Sequence, residues 1–211
     1  MADCKAWEDV IRRDAGDKPR LLAELIPEGG MFYDIGANVG AMTDMVLGIN
    51  PNINCVLFEP VKEYYNYITE KYKDNPRITT INCAVVDTDR EVEISVDGTN
   101  FGWNTLSEIH NYGSKEIIQG RSLSSIVKEL DLVYPDVIKV DVEQSEYLVI
   151  EGAKDLLTTH HPIGIMIEIG IHREHRFWEK EEQMIQYLFS LGYGEYDYKS
   201  YNNTYDVIFR K

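Results

Sequence analysis

The sequence predicts an α/β fold built on an open, mostly parallel, doubly wound sheet with helices on both faces. Three observations carry this reading. From Met31 onward, short apolar runs alternate with longer stretches of helical period. The first run, "MFYDI", breaks into the glycine turn "GANVG", from which a helix restarts. The second, "CVLF", ends on Glu59 and then Pro60, a residue suited to the first turn of a helix, where its missing N–H does no harm. Strands joined through crossover helices run parallel, so such a series builds one half of a doubly wound sheet.

The elements follow in order. Trp7, Val10, Ile11, Leu21, Leu22 and Leu25 recur at helical spacing and are interrupted at Gly16. They predict two short helices within residues 1–29, a cap able to cover one edge of a ligand cleft. After the turn at Pro27-Glu28-Gly29-Gly30 come a strand over Met31 to Ile35, a helix over Val39 to Ile49, a strand over Asn54 to Phe58, a helix over Val61 to Lys73 and a strand over Arg77 to Cys83. Ala84 to Val86 and Glu91 to Val96 read as a hairpin around Asp87-Thr88-Asp89. Asp97 to Gly120 is polar and irregular, an insertion on the acceptor side. Ser124 to Leu130 is a short helix, Asp136 to Val142 a buried strand, Glu146 to Leu157 a helix, Ile163 to Ile169 a strand and Trp178 to Leu191 an amphipathic helix. Tyr196 to Ser200 and Tyr205 to Arg210, joined across Asn202-Asn203, read as a closing hairpin. With no internal repeat, residues 1–211 form a single domain.

Charge narrows the partners. Against 21 Lys and Arg stand 36 Asp and Glu, a net charge of -15. A surface so acidic lacks the cations that displace counterions from phosphate backbones or anionic lipid, so neither nucleic acid nor membrane is an expected partner. No apolar run approaches the ~18 residues that span a bilayer. Cys4, Cys55 and Cys83 are an odd, unpaired set, and Cys55 and Cys83 sit in apolar runs. That usage suits a soluble protein of a reducing, cytoplasmic compartment and suggests neither zinc nor a disulfide framework. The sequence leaves the oligomeric state undetermined.

The glycine turn and the acid after it point to a cofactor. In an open α/β sheet the ligand sits beyond the carboxyl ends of the strands. Gly36 lets a ligand approach the backbone, and an acid at the tip of the second strand can accept hydrogen bonds from both ribose hydroxyls. Glu59 lies 23 residues beyond Gly36, near the usual interval of about 20. Dinucleotides use the same arrangement but need a second glycine to wrap a pyrophosphate, and Asn38 stands there instead. A nucleoside without phosphate fits better, and S-adenosylmethionine is such a molecule. A tight strand-to-helix turn without a ligand, a nicotinamide-dependent oxidoreductase and a non-catalytic binding module are the competing readings.

"FYDIGANVG", "LFEP", "INCAVVD", "IKVDVEQSE" followed by "IEGA", and "IMIEI" stand in the order and spacing of the FkbM-type methyltransferases, which the chain resembles from Gly30 to Ile171. The resemblance implies a Rossmann-like class I methyltransferase fold, with seven strands in the order 3-2-1-4-5-7-6 and strand 7 antiparallel. It also implies that Asp34, Gly36 and Asn38, with Gly40, line the methionine end of S-adenosylmethionine and that Glu59 holds the ribose. Asn82, Cys83 and Ala84 would border the adenine, with Val85 packing on its face. The family usually has glycine where this chain has Gln144.

Methyl transfer to a hydroxyl requires alignment of the two reactants and removal of a proton. Asp141, Glu143, Glu168 and His172, at the ends of the fourth and fifth strands of the predicted sheet, are the candidates. Their ordinary readings are a helix cap for Asp141, a solvated first-turn acid for Glu143 and Glu146, and a surface histidine for His172. Lys139 reads as structural, neutralised by a neighbouring carboxylate. Mg²⁺ is not expected, although Asp141, Glu143 and Glu168 are the oxygen ligands it prefers. Trp103, Asn104 and Tyr112 would bind the acceptor, by stacking on a sugar face and bonding its hydroxyls, unless the aromatics complete the core. Family members methylate sugars and polyketide-type products; the expected reaction is O-methylation of a sugar or glycan.

Overall fold

The computed structural model describes residues 3–96, 104–106, 113–170, 178–199 and 204–211. Two helices, α1 (Cys4–Asp14) and α2 (Lys18–Leu25), precede β1 (Met31–Ile35), α3 (Ala41–Ile49), β2 (Asn54–Phe58), α4 (Lys62–Tyr72) and β3 (Ile78–Ile81). A second group follows: β4 (Ala84–Val85), β5 (Arg90–Val96), β6 (Thr105–Leu106), β7 (Ser114–Arg121) and α5 (Leu123–Glu129). The chain then returns to the main sheet with β8 (Val137–Val140), α6 (Glu146–Gly152), α7 (Lys154–Thr159), β9 (Gly164–Gly170), α8 (Trp178–Ser190), β10 (Gly194–Lys199) and β11 (Thr204–Arg210).

The main sheet runs β10-β11-β9-β8-β1-β2-β3. Counting only its own seven strands, this is the order 3-2-1-4-5-7-6 read from the other edge, with β11 antiparallel to both of its neighbours. Both faces are covered, which is why the central strands are apolar apart from the buried Asp34 and Lys139. Tyr33, Ile35, Val56, Phe58, Ile138 and Val140 pack one core, under α5, α6 and α8. Phe32, Cys55, Leu57, Val137, Met166 and Ile208 pack the other, under α2, α3 and α4. Because side chains alternate along a strand, Asp34 shares a face with Phe32, and Lys139 with Val137. All three cysteines are buried thiols. Among the described residues no helix is long and apolar enough to cross a membrane.

Three expectations are corrected. Ala84–Val85 does not form a hairpin with the strand after it; β4 pairs in parallel with β7, which is itself antiparallel to β5. Ser114–Arg121, read as irregular, is therefore an eight-residue strand of a second, four-stranded sheet ordered β4-β7-β5-β6. Its strand signal is weak because both faces carry polar groups and Ile117 is 63% exposed. The helix from Glu146 onward breaks at Ala153, which at φ -98° and ψ 0° ends α6 and begins α7. At Gly152 a Cβ would lie 2.0 Å from the Val86 carbonyl oxygen, so the break sits where helix and second-sheet backbones touch.

Candidate active site

A cavity of about 340 Å³ opens at the carboxyl ends of β1, β2 and β8, covered by Trp7, Val10 and Ile11 of α1 and by Lys18 of α2. Both N-terminal helices thus contribute side chains to the cavity wall. The docking of α1 rests on Glu8, 2% exposed, whose carboxylate accepts from Lys71 Nζ (2.6 Å), Lys5 Nζ (2.9 Å) and the Tyr67 hydroxyl (2.8 Å). These donors hold its pKa down at about 2 against the opposing effect of burial.

The floor is the turn after β1. Gly36 sits at φ +79°, and its N–H and that of Ala37 both donate to the Phe58 carbonyl at 3.0 Å. A Cβ on Gly36 would lie 2.0 Å from the Asp141 carbonyl oxygen, so only glycine lets this turn approach the end of β8. Asn38 is also left-handed, at φ +51°, and its N–H donates to Glu59 Oε2 at 2.7 Å. Glu59 Oε1 accepts from the Val61 N–H at 2.8 Å. Burial pushes the Glu59 pKa up to about 7, opposed by those two N–H groups. Each oxygen keeps a second lone pair for a donor from the cavity. Cys83, Ala84, Val85 and Val86 wall the same end, and burial raises the Cys83 pKa to about 12, keeping the thiol neutral.

The other end is charged. Register pairs Asp34 with Lys139, and both side chains project on one face. Lys139 Nζ lies 3.0 Å from Asp34 Oδ1, 3.1 Å from the Gly36 carbonyl and 3.4 Å from Asp141 Oδ2. On the next pair of strands Glu168 is in register with Asp206, which pairs with Lys18 Nζ at 2.9 Å. Asp141, Glu143 and Glu168 converge on the cavity, one oxygen of each lying within 4.8 Å of the others. Glu143 and Gln144 take φ of +54° and +74° in the turn that presents them. Gln144 thus occupies a conformation that glycine adopts without strain. The Thr105 hydroxyl fixes this turn by donating to the Glu143 carbonyl at 2.6 Å. Burial, followed by the charges of Asp141 and Glu168, raises the Glu143 pKa far above the usual carboxylate range.

Of the site residues the sequence predicts, Gly36, Asn38, Glu59, Cys83, Ala84, Asn104, Asp141, Glu143 and Glu168 line the cavity. Three residues predicted for the cofactor stand off the cavity wall. Asp34 is 0% exposed behind the wall, its oxygens taken by Lys139 and by the Thr43 hydroxyl at 2.7 Å. Gly40 is turned from the cavity onto Tyr72, whose hydroxyl would lie 2.8 Å from a Cβ there. Asn82 clips strand ends together, its Nδ2 donating to the carbonyls of Glu59 (2.8 Å) and Pro60 (2.9 Å). Glu146, read as solvated, is 2% exposed because it accepts from the Val142 N–H at 3.0 Å. His172, Trp103 and Tyr112 lie outside the described residues. Sequence reasoning missed Lys18 and Ser145, whose places on the wall depend on partners distant along the chain.

The strand order, the antiparallel β11 and a cavity over the first two strand tips define a class I methyltransferase fold. Solved structures of this architecture align with most of the chain. Fibrillarin from Aeropyrum pernix, solved with natively bound S-adenosyl-L-methionine, has a TM-score of 0.57 at 14% identity, covering 92% of this chain and 73% of its own. Precorrin-6y C5,15-methyltransferase from Geobacter metallireducens has a TM-score of 0.54 at 11% identity, covering 92% and 86%. At such identities the likeness is one of fold. The chain belongs to the FkbM methyltransferase family, whose domain model matches residues 34–194. A curated relative, the hexuronic acid methyltransferase AglP of Haloferax volcanii, is 26% identical over 171 residues, which are 81% of this chain and 66% of that protein.

Proposed function

We propose that the chain is an S-adenosylmethionine-dependent O-methyltransferase acting on a hydroxyl of a sugar or glycan. The observation that carries this reading is the division of one cavity into two ends. Gly36, Asn38, Glu59 and the Cys83–Val86 wall suit a nucleoside, whereas Asp141, Glu143 and Glu168 form a carboxylate end that suits a proton-releasing acceptor. The Gly36 turn, held close against the end of β8, and the buried Glu59 fit an adenosyl group without phosphate. A sulfonium cofactor supplies a methyl group already activated for displacement, and its positive charge complements a wall with more carboxylates than ammonium groups. The match to a hexuronic acid methyltransferase supports a sugar acceptor.

In this reading the chain's residues perform three tasks. Lys139 ties the Gly36 turn to Asp141, so cofactor floor and acceptor end hold one spacing. The cap helices exclude water from the cavity. An oxygen of Asp141 accepts the hydroxyl proton as the new C–O bond forms and the methyl–sulfur bond breaks, leaving a methyl ether and the thioether product. The test uses labelled methyl donor with a panel of uronic acids, neutral sugars, glycan termini and polyketide-type alcohols, read by mass shift. Transfer to a sugar hydroxyl is expected. Transfer confined to the non-sugar alcohols overturns the acceptor assignment, and transfer to nitrogen or carbon overturns the O-methyl assignment.

A further inference from the structure

The turn between β8 and α6 presents two acids to the cavity and is held in an unfavourable backbone shape. Asp141 opens it, and Glu143 and Gln144 follow with φ of +54° and +74°, a left-handed region that L side chains rarely adopt. Backbone of this kind persists only where surrounding contacts over-determine it. Two side chains brace the turn. Glu146, 2% exposed, accepts from the Val142 N–H at 3.0 Å, a bond made within the segment itself. The other brace comes from 38 residues away: Thr105, 3% exposed on β6, donates its hydroxyl to the Glu143 carbonyl at 2.6 Å.

That brace is itself anchored. Thr105 pairs with Ser95, and Leu106 with Ile94, on β5. Asn104 bonds the Tyr64 side chain of α4, the helix that begins just after Glu59. Leu106 packs on a cluster that includes Val61, Tyr64 and Ile94. Asn104, Thr105 and Leu106 all line the cavity, so β6 joins the cofactor side of the site to the turn that carries Glu143.

We propose that Thr105 is a positioning residue for methyl transfer: by holding the Glu143 carbonyl it fixes the turn over residues 141–145, and with it the placement of the Asp141 and Glu143 carboxylates against the acceptor. The role rests on the methyltransferase reading. Without the hydroxyl the Glu143 carbonyl loses its donor, and the turn relaxes from its left-handed shape. A displacement near 1 Å beside reacting groups costs up to about a hundredfold in rate. Because Thr105 acts through the turn, the loss falls on kcat and not on binding at either end of the cavity.

The experiment compares wild type with Thr105→Val, nearly isosteric but without the hydroxyl, and with Thr105→Ser, which keeps it. Thr105→Ala against Thr105→Ser repeats the comparison in a smaller side chain. Kinetics use labelled methyl donor and whichever sugar or alcohol of the panel wild type methylates fastest, and calorimetry with S-adenosylhomocysteine reports the cofactor end. Thr105→Val should lower kcat about ten- to a hundredfold, with nucleoside affinity and acceptor KM within about twofold of wild type, and Thr105→Ser should recover most of the loss. Thr80→Val removes a hydroxyl that shares a 2.9 Å bond with Thr69 on the β3 side, away from the cavity, and should leave kcat unchanged. Amide hydrogen exchange over residues 141–146, which needs no catalysis, should quicken in Thr105→Val and not in Thr105→Ser. Unchanged kcat in Thr105→Val, or a change confined to acceptor KM, overturns the positioning role while an active wild type leaves the methyltransferase reading standing. A wild type that methylates nothing in the panel counts against that reading instead, and unchanged exchange in Thr105→Val then overturns the brace as well.

Discussion

Gly36→Ala tests the geometry on which the site depends. The new Cβ would stand 2.0 Å from the Asp141 carbonyl oxygen, and ordinary contact begins at 3.4 Å, so turn and strand end must separate by about 1.4 Å. Neither side is free to move. The Asp141 N–H is held by the Ile35 carbonyl at 3.1 Å, and the Gly36 N–H by that of Phe58 at 3.0 Å. Alanine at φ +79° adds about 1–2 kcal/mol, and weakening one of these bonds adds about 1 kcal/mol. The expected loss is about 3 kcal/mol, a large share of the 5–15 kcal/mol typical of a domain. Urea unfolding with an unchanged slope measures it. In the fraction still folded, affinity for S-adenosylhomocysteine should fall about tenfold or more, since a displacement near 1 Å misplaces the binding groups. Gly48→Ala is the control: nothing lies within 4 Å of its Cβ, so in α3 it should stabilise the chain by about 0.5–1 kcal/mol. A Gly36→Ala chain as stable as wild type, or binding the nucleoside as tightly, would refute the close approach.

Three further outcomes are expected. Glu59 keeps its proton to about pH 7 when folded, against an ordinary 4.5, so its contribution is complete below 4.5 and fades as pH rises through 7. Relative to Glu59→Gln, wild type should lose up to about 3 kcal/mol of unfolding free energy from pH 5 to pH 8, and parallel curves would count against this. Asp141→Asn should lower turnover by about 10²–10⁴ while nucleoside affinity holds; unchanged turnover would move the proton acceptor elsewhere. Glu8, depressed to about 2, stabilises the cap above its ordinary 4.5 and loses that effect as pH falls toward 2. Glu8→Gln should cost about 2 kcal/mol and speed hydrogen exchange in α1, and unaltered exchange would show that the cap docks through other contacts.

The parts legible in the sequence are those whose signal is local. β1, β2 and β8 are buried on both faces, so each reads as a mainly apolar run, broken in β1 by Asp34 and in β8 by Lys139, and the turn at Gly36 and the acid at Glu59 announce the strand tips. What the sequence hid was decided by partners distant along the chain. β7 carries polar residues on both faces and is a strand because β5 and β4 pair with it. Asp34 looks like a ligand-facing acid at a strand end; only its register opposite Lys139 turns it into a buried counter-ion. Glu146 matches a solvated first-turn acid in every local respect, and is buried because its own loop folds the Val142 N–H onto it.

The row of charges along one face of the sheet ties the cap to the site. Asp34 and Lys139 on adjacent strands lead to Asp141, and Glu168 and Asp206 on the next pair lead to Lys18 in α2. Asp206 is 2% exposed, so withdrawing Lys18 would leave a buried carboxylate without its cation. A buried pair broken in this way costs far more than the pair contributes when intact. The first turn of α2 is therefore fixed to β11, and the ammonium placed there stands on the cavity wall at the carboxylate end, near Asp141 and Glu168. α1 is held otherwise: Glu8, Lys71 and the Arg12–Asp44 pair at 2.6 Å join it to α3 and α4. The cover thus has one half anchored to the acceptor side of the sheet and one half anchored to the cofactor side. Between them Gly16 at φ +56° makes the bend that sets the two halves on different partners.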